Sequence, residues 1–189
     1  GKTSLAKGIA SKAASLLGGK IKYLEAEPHA MTSAALGKSQ KEVYKFLHEQ
    51  VSERASQGPL IVLLDEVETL AGNRSKMSME ANPIDVHRAT DALLAGLDSL
   101  ANKFKNLLFI ATTNFEGSVD PAFISRADLV EYIGTPDKDA CLVILKDTLE
   151  SLSKHWPKMK NIIKEPEFEK VAFSLEGLDG RRIRKLVLY

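Results

Sequence analysis

Two short apolar runs limit what this chain can fold into more than any other feature. "LIVLLDE" (Leu60 to Glu66) is uninterrupted, of strand length, preceded by Gly58-Pro59 and closed by two acids. "LLFIATTN" (Leu107 to Asn114) repeats the arrangement and closes on hydroxyls and an amide. A strand with one wet face alternates apolar and polar residues. A strand that is apolar throughout belongs to a parallel sheet buried on both faces. Shorter strands are expected at Ile21 to Glu25 and at "LVEYIG" (Leu129 to Gly134). Helical periodicity fills the intervals: Thr3 to Leu17, stopped by Gly18-Gly19, then Gln40 to Ser56, then Asp85 to Ala101. Alternating strands and helices predict an open α/β sheet whose ligand site lies at the carboxyl ends of the strands. After Pro136 only helices are expected: Asp137 to Lys154, Glu165 to Ser174, and Gly180 onward. The predicted division is a large α/β unit over 1–135 and a small helical unit over 136–189.

Composition removes several function classes. Twenty-six Lys and Arg against 25 Asp and Glu leave a net charge of +1, which argues against nucleic acid and anionic membranes as partners. One cysteine, Cys141, allows no internal disulfide and fits a reducing compartment. No apolar run approaches the roughly 20 residues of a membrane span, and no stretch reads as a signal peptide. The expected location is therefore intracellular: cytoplasmic in a bacterium, nuclear or cytoplasmic in a eukaryote. The four histidines lack metal-ligand spacing.

The chemistry sits in three separate places. Gly1-Lys2-Thr3, followed by Ser4 and a helix, has the form of the end of a phosphate-binding loop. There the glycine admits the phosphates to the backbone, the lysine reaches the terminal phosphates, and the hydroxyl holds a magnesium ion. About sixty residues later, Asp65 and Glu66 close a buried strand, where one acid can hold magnesium and the other can orient an attacking water. Asn114 closes the next buried strand and can position the same water. Each feature alone is ordinary: a capped helix, a solvated strand end, a turn-forming Asn. Their joint occurrence, in the right order and strand context, identifies a nucleoside-triphosphate site.

"LLDEVETLAGNRS", "ATTNFEGSVDPAFISRADLVEYIG" and "GLDGRRIRKL" together resemble the AAA+ ATPases. Within these they are most similar to the pachytene checkpoint family, which remodels HORMA-domain proteins. The more specific segments are "SRADLVEYIG" and "GRRIRKL", because other AAA+ proteins carry Pro-Gly-Arg near Ser125-Arg126-Ala127-Asp128. The resemblance implies an AAA+ P-loop fold with a helical lid and a homo-oligomeric, hexameric ring. It also implies ATP and Mg2+ as cofactors and a HORMA-domain substrate, met through an adaptor or directly. It implies that Gly1, Lys2, Thr3 and Ser4 form the phosphate loop, that Thr3 and Asp65 serve the metal, and that Glu66 is the catalytic acid. By the same match Asn114 is the first sensor, Arg126 the arginine finger, and Arg181 the lid sensor. Planar guanidinium donors suit both arginine roles. In "GRRIRK" the basic residues also start a helix whose dipole favours anions. The family pattern further places a hydrophobic strand, the rest of the glycine loop and a substrate-adaptor domain ahead of Gly1. It would make the chain a fragment, with the lid continuing beyond Tyr189.

One departure bears on mechanism. The family's pore loop carries an aromatic gripping residue, whereas "AMTSAALGKSQ" offers Ala35 and Leu36. A smaller apolar grip is the expectation there. Two other readings stay open: an AAA+ protein of another clade acting as a chaperone, nucleotide switch or scaffold, and a P-loop phosphotransferase. The latter has no use for paired acids with an arginine acting in trans.

Overall fold

The computed structural model describes residues 1–26, 28–31, 38–72 and 83–187. These group into two units, Lys2–Val130 and Glu131 onward. Ala35, Leu36 and residues 73–82 lie outside the described residues.

The first unit is built on three parallel strands in the order β1 (Lys22–Ala26), β2 (Leu60–Leu64), β3 (Leu107–Ala111). Lys22 lies opposite Leu60, and Leu60 opposite Leu107, so the three strands end level with one another. Parallel neighbours require crossovers, and helices supply them. Helix α1 (Lys2–Leu16) leads into β1. Helices α2 (Pro28–Met31), α3 (Lys38–Lys45) and α4 (Ser52–Ser56) separate β1 from β2, and α5 (Pro83–Lys103) separates β2 from β3. Every residue of β2 is buried, at most 3% exposed. Leu60, Val62 and Leu64 join Val43, Leu47, Val51 and Leu93 in the main core. Ile61 points to the opposite face, where it lines a cleft with Ala10 and Ala14 of α1. Helices thus cover β2 from both sides, as its uninterrupted apolar sequence requires.

The helix expected over Gln40 to Ser56 begins at Lys38 and widens into a π turn over Phe46–Val51. That turn drives Phe46, Leu47 and Val51 into the core. Against it, α5 carries Gly96, where an added Cβ would collide with Leu47 Cδ1. The close approach of the two elements depends on that missing side chain.

Two strand expectations need correction. β3 is only half covered, with Leu108 47% exposed, because it is an edge of the described sheet. Leu129 to Gly134 forms no strand among the described residues, with Leu129, Val130 and Tyr132 exposed. Apolar sequence supplies strand propensity, but a strand needs a hydrogen-bonded neighbour.

In the second unit, α7 (Lys138–Ser153), α8 (Met159–Ile162), α9 (Phe168–Phe173) and α10 (Gly180–Leu186) enclose Cys141, Leu145, Leu149, Phe168, Ala172 and Ile183. Asp137 caps α7 through the Ala140 N–H at 2.8 Å, and Asp179 caps α10 through Arg181 and Arg182. The helix expected from Glu165 begins only at Phe168. Pro166 offers no N–H, and turns fill the interval after α8. Burial pushes the Cys141 thiol up from its ordinary pKa. Among the described residues no helix is long and apolar enough to cross a membrane.

Candidate functional site

The carboxyl ends of β2 and β3 lie side by side because Leu64 is paired with Ala111. The next residues of each strand, Asp65 and Thr112, therefore meet: Thr112 Oγ1 donates to Asp65 Oδ1. The same hydroxyl accepts the Glu66 N–H at 3.3 Å. One side chain thus fixes the two acids relative to each other. Glu66 has left-handed backbone angles, φ 55° and ψ 51°, uncommon for a residue with a side chain. Its N–H reaches Thr112 in that conformation, and the chain then turns into a 3-10 segment at Val67–Thr69.

From the other side, Thr3 Oγ1 donates to Asp65 at 3.0 and 3.1 Å from its two oxygens, across 62 residues of sequence. Thr3 sits in the first turn of α1, directly after Lys2. Asn114 completes the cluster: its Nδ2 donates to Glu66 Oε1 at 3.3 Å, and its backbone N–H to Glu68 Oε1 at 3.2 Å. The second oxygen of Glu68 is buried and has no hydrogen-bond partner among the described residues. Thr3, Asp65, Glu66 and Asn114, picked out separately along the chain, are therefore one hydrogen-bonded group.

Gly1 precedes α1, Lys2 begins it, and Ser4 is exposed on its first turn. Arg126 follows α6 (Pro121–Ile124) and pairs with Asp98 on α5 rather than with nearby Asp128. Arg181 opens α10 in the second unit, where its N–H is held by the Asp179 carboxylate. That carboxyl lies below its usual pKa range, chiefly through the Arg182 N–H and then through Arg181.

Thr112 and Glu68 are the residues that sequence reading passed over. A threonine at a strand end is ordinary β-forming composition. Only the parallel register shows that its hydroxyl faces both acids.

Chemically, the group combines a hydroxyl and a carboxylate 3.0 Å apart with a second acid tethered by an amide. Hydroxyl and carboxylate oxygens are hard donors of the kind magnesium takes. The residues present fit a magnesium–nucleotide site.

Comparison with known proteins agrees. The model of the AAA family, ATPase family associated with various cellular activities, matches residues 1–135. CD-NTase-associated protein 6 of Pseudomonas aeruginosa is 51% identical over 188 residues, covering 99% of this chain and 62% of that protein. The solved structure of C. elegans PCH-2 matches with a TM-score of 0.73 and 30% identity, over 100% of this chain and 52% of that one. The E. coli MS115-1 HORMA:CdnC:Trip13 complex contains a chain of the same fold, with a TM-score of 0.67 and 21% identity over 87% of this chain and 55% of that one. The chain thus spans less than two thirds of the length of these relatives. It belongs to the AAA ATPase family, and it is similar to pachytene checkpoint proteins, one of them in Caenorhabditis elegans, 32% identical over 98% of this chain and 49% of that protein.

Proposed function

We propose that this chain carries the ATP-hydrolysing machinery of a ring-forming remodeller whose substrate is a HORMA-domain protein. The observation that carries the nucleotide assignment is the hydrogen-bonded set Thr3–Asp65–Thr112–Glu66–Asn114, assembled from three distant segments at one end of the sheet. The HORMA assignment is supported by the pachytene-checkpoint motifs at 125–134 and 180–186 and by likeness to CD-NTase-associated protein 6 and PCH-2.

In this reading residues 1–135 form the nucleotide-binding subdomain and 136–189 the lid. Gly1, Lys2, Thr3 and Ser4 cradle the phosphates, and Thr3 with Asp65 holds magnesium. Magnesium–ATP, when bound there, would supply the transferable phosphoryl group, with the cation offsetting the charge on the phosphates. Glu66 is the group that orients the attacking water and accepts its proton. The Asn114 amide holds Oε1 of that carboxylate. Thr112 keeps Glu66 at a fixed distance from Asp65, so proton acceptance and metal holding stay separate jobs. Arg126 presents guanidinium donors to the site of the neighbouring subunit, where negative charge develops during transfer. Arg181 contacts nucleotide from the lid.

The test is ATPase activity of the full-length protein measured against protein concentration. A ring whose sites are completed in trans gains specific activity as it assembles. Specific activity independent of concentration, across a range where size-exclusion shows rings forming, would overturn the trans-acting reading.

A further inference from the structure

Arg126 is held in a particular way. Its Nε donates to Asp98 Oδ1 at 2.8 Å and its Nη2 to Asp98 Oδ2 at 2.9 Å, a two-pronged fork on one edge of the guanidinium. Nη1 donates to the carbonyl oxygen of Ala122 at 2.6 Å. A guanidinium has five N–H donors, so two remain, one on each terminal nitrogen. The carboxylate thus occupies the side of the group and leaves its tip with donors to spare.

Both ends of this clamp are themselves anchored. Asp98 lies on α5, whose Ala89, Thr90, Leu93 and Leu100 are buried and whose Thr90 hydroxyl donates to Leu70 O at 2.8 Å. Gly96, two residues before Asp98, is pressed against Leu47. Arg126 follows α6, which Asp120 caps at 2.8 Å while its own N–H is tied to Ala71 O. Only the side chains beyond these anchors are free to move, and the fork joins them.

We propose that Asp98 is a positioning residue for Arg126. It locks the guanidinium plane by one edge so that its tip is presented, already oriented, to the phosphates of the neighbouring subunit. The proposal rests on reading Arg126 as the trans-acting arginine. An unpaired arginine would sample many rotamers, and the ordering would be lost from every turnover. The guanidinium also holds the Asp98 carboxyl below its usual pKa.

The test uses the full-length protein with Asp98→Ala, Asp98→Asn, Arg126→Ala and the double variant Asp98→Ala/Arg126→Ala, each checked for ring assembly. Asp98→Ala should lower kcat about tenfold with KM and nucleotide affinity unchanged. Asp98→Asn, which keeps the shape but not the charge, should lose less. The double variant should be no slower than Arg126→Ala alone, since Asp98 acts only through the arginine. Mixing Asp98→Ala with Lys2→Ala subunits should restore turnover, because such rings contain interfaces with an intact loop facing an intact finger. Unchanged or faster turnover in assembled Asp98→Ala rings would overturn the proposal, the latter by making the fork a restraint. So would failure of both Asp98 variants to assemble, or a double variant slower than Arg126→Ala. If Arg126→Ala itself keeps full turnover, the arginine reading has failed and Asp98 falls with it.

Discussion

The two units solve different problems with the same helix-forming vocabulary. In the first, groups that matter chemically are held by partners far away in sequence: Thr3 to Asp65 across 62 residues, Thr112 to Asp65 across 47, Asn114 to Glu66 across 48. In the second, Arg181 and Arg182 are held by Asp179 two and three residues away, above a core of six buried residues. A site tied together at long range exists only when the sheet is in register. A locally capped helix keeps its geometry wherever the helix forms. Substitutions in the first unit's polar group should therefore change turnover with little effect on melting, and core substitutions in the second should do the reverse.

The largest effect is expected at Arg126. Arg126→Ala should lower the turnover of pure rings by on the order of a thousandfold while nucleotide still binds. Mixing with Lys2→Ala subunits should restore activity; no recovery in rings shown to be mixed would place the arginine's role in its own subunit. Next, Glu66→Gln should bind ATP and turn it over about a hundredfold more slowly or worse, because the proton acceptor is gone. Near-normal turnover would move that role to another group. Thr112→Val should cost about tenfold in kcat, since Asp65 and the Glu66 N–H both lose their shared partner. Thr112→Ser, which keeps the hydroxyl, should stay close to wild type. The smallest effect tests the other side of the contrast. Ile183→Val in the second unit should lower stability by about 1 kcal/mol and leave kcat of the folded protein within about twofold. A thermal melt beside the steady-state assay separates the two outcomes.

What could be read in the sequence followed from how local its causes are. β2 was legible because five consecutive apolar residues between a Gly-Pro turn and two acids have one reading, and the structure buries all five. α5, expected from Asp85 to Ala101, runs from Pro83 to Lys103, the usual imprecision of helix ends. Leu129 to Gly134 misled because its propensity is local while its pairing is not. Asp65, Glu66 and Asn114 could be named because strand ends are where polar residues in such sheets converge. Thr112 and Asp98 could not. One is a strand-end threonine and the other an acid on a helix surface, and their importance comes from what the register of β3 and the packing of α5 bring to them. The π turn at Phe46–Val51 was equally hidden, since its sequence reads as ordinary α-helix.

Glu66 adopts its left-handed backbone without being glycine, asparagine or aspartate. A side chain in that region costs about 1–2 kcal/mol relative to ordinary backbone angles. Glycine adopts those angles without that cost but loses more backbone freedom on folding and gives up the Asn114 contact, so Glu66→Gly should melt close to wild type while losing hydrolysis. A screen of this protein for thermal tolerance, run without an assay for turnover, would therefore not register the loss of the acid.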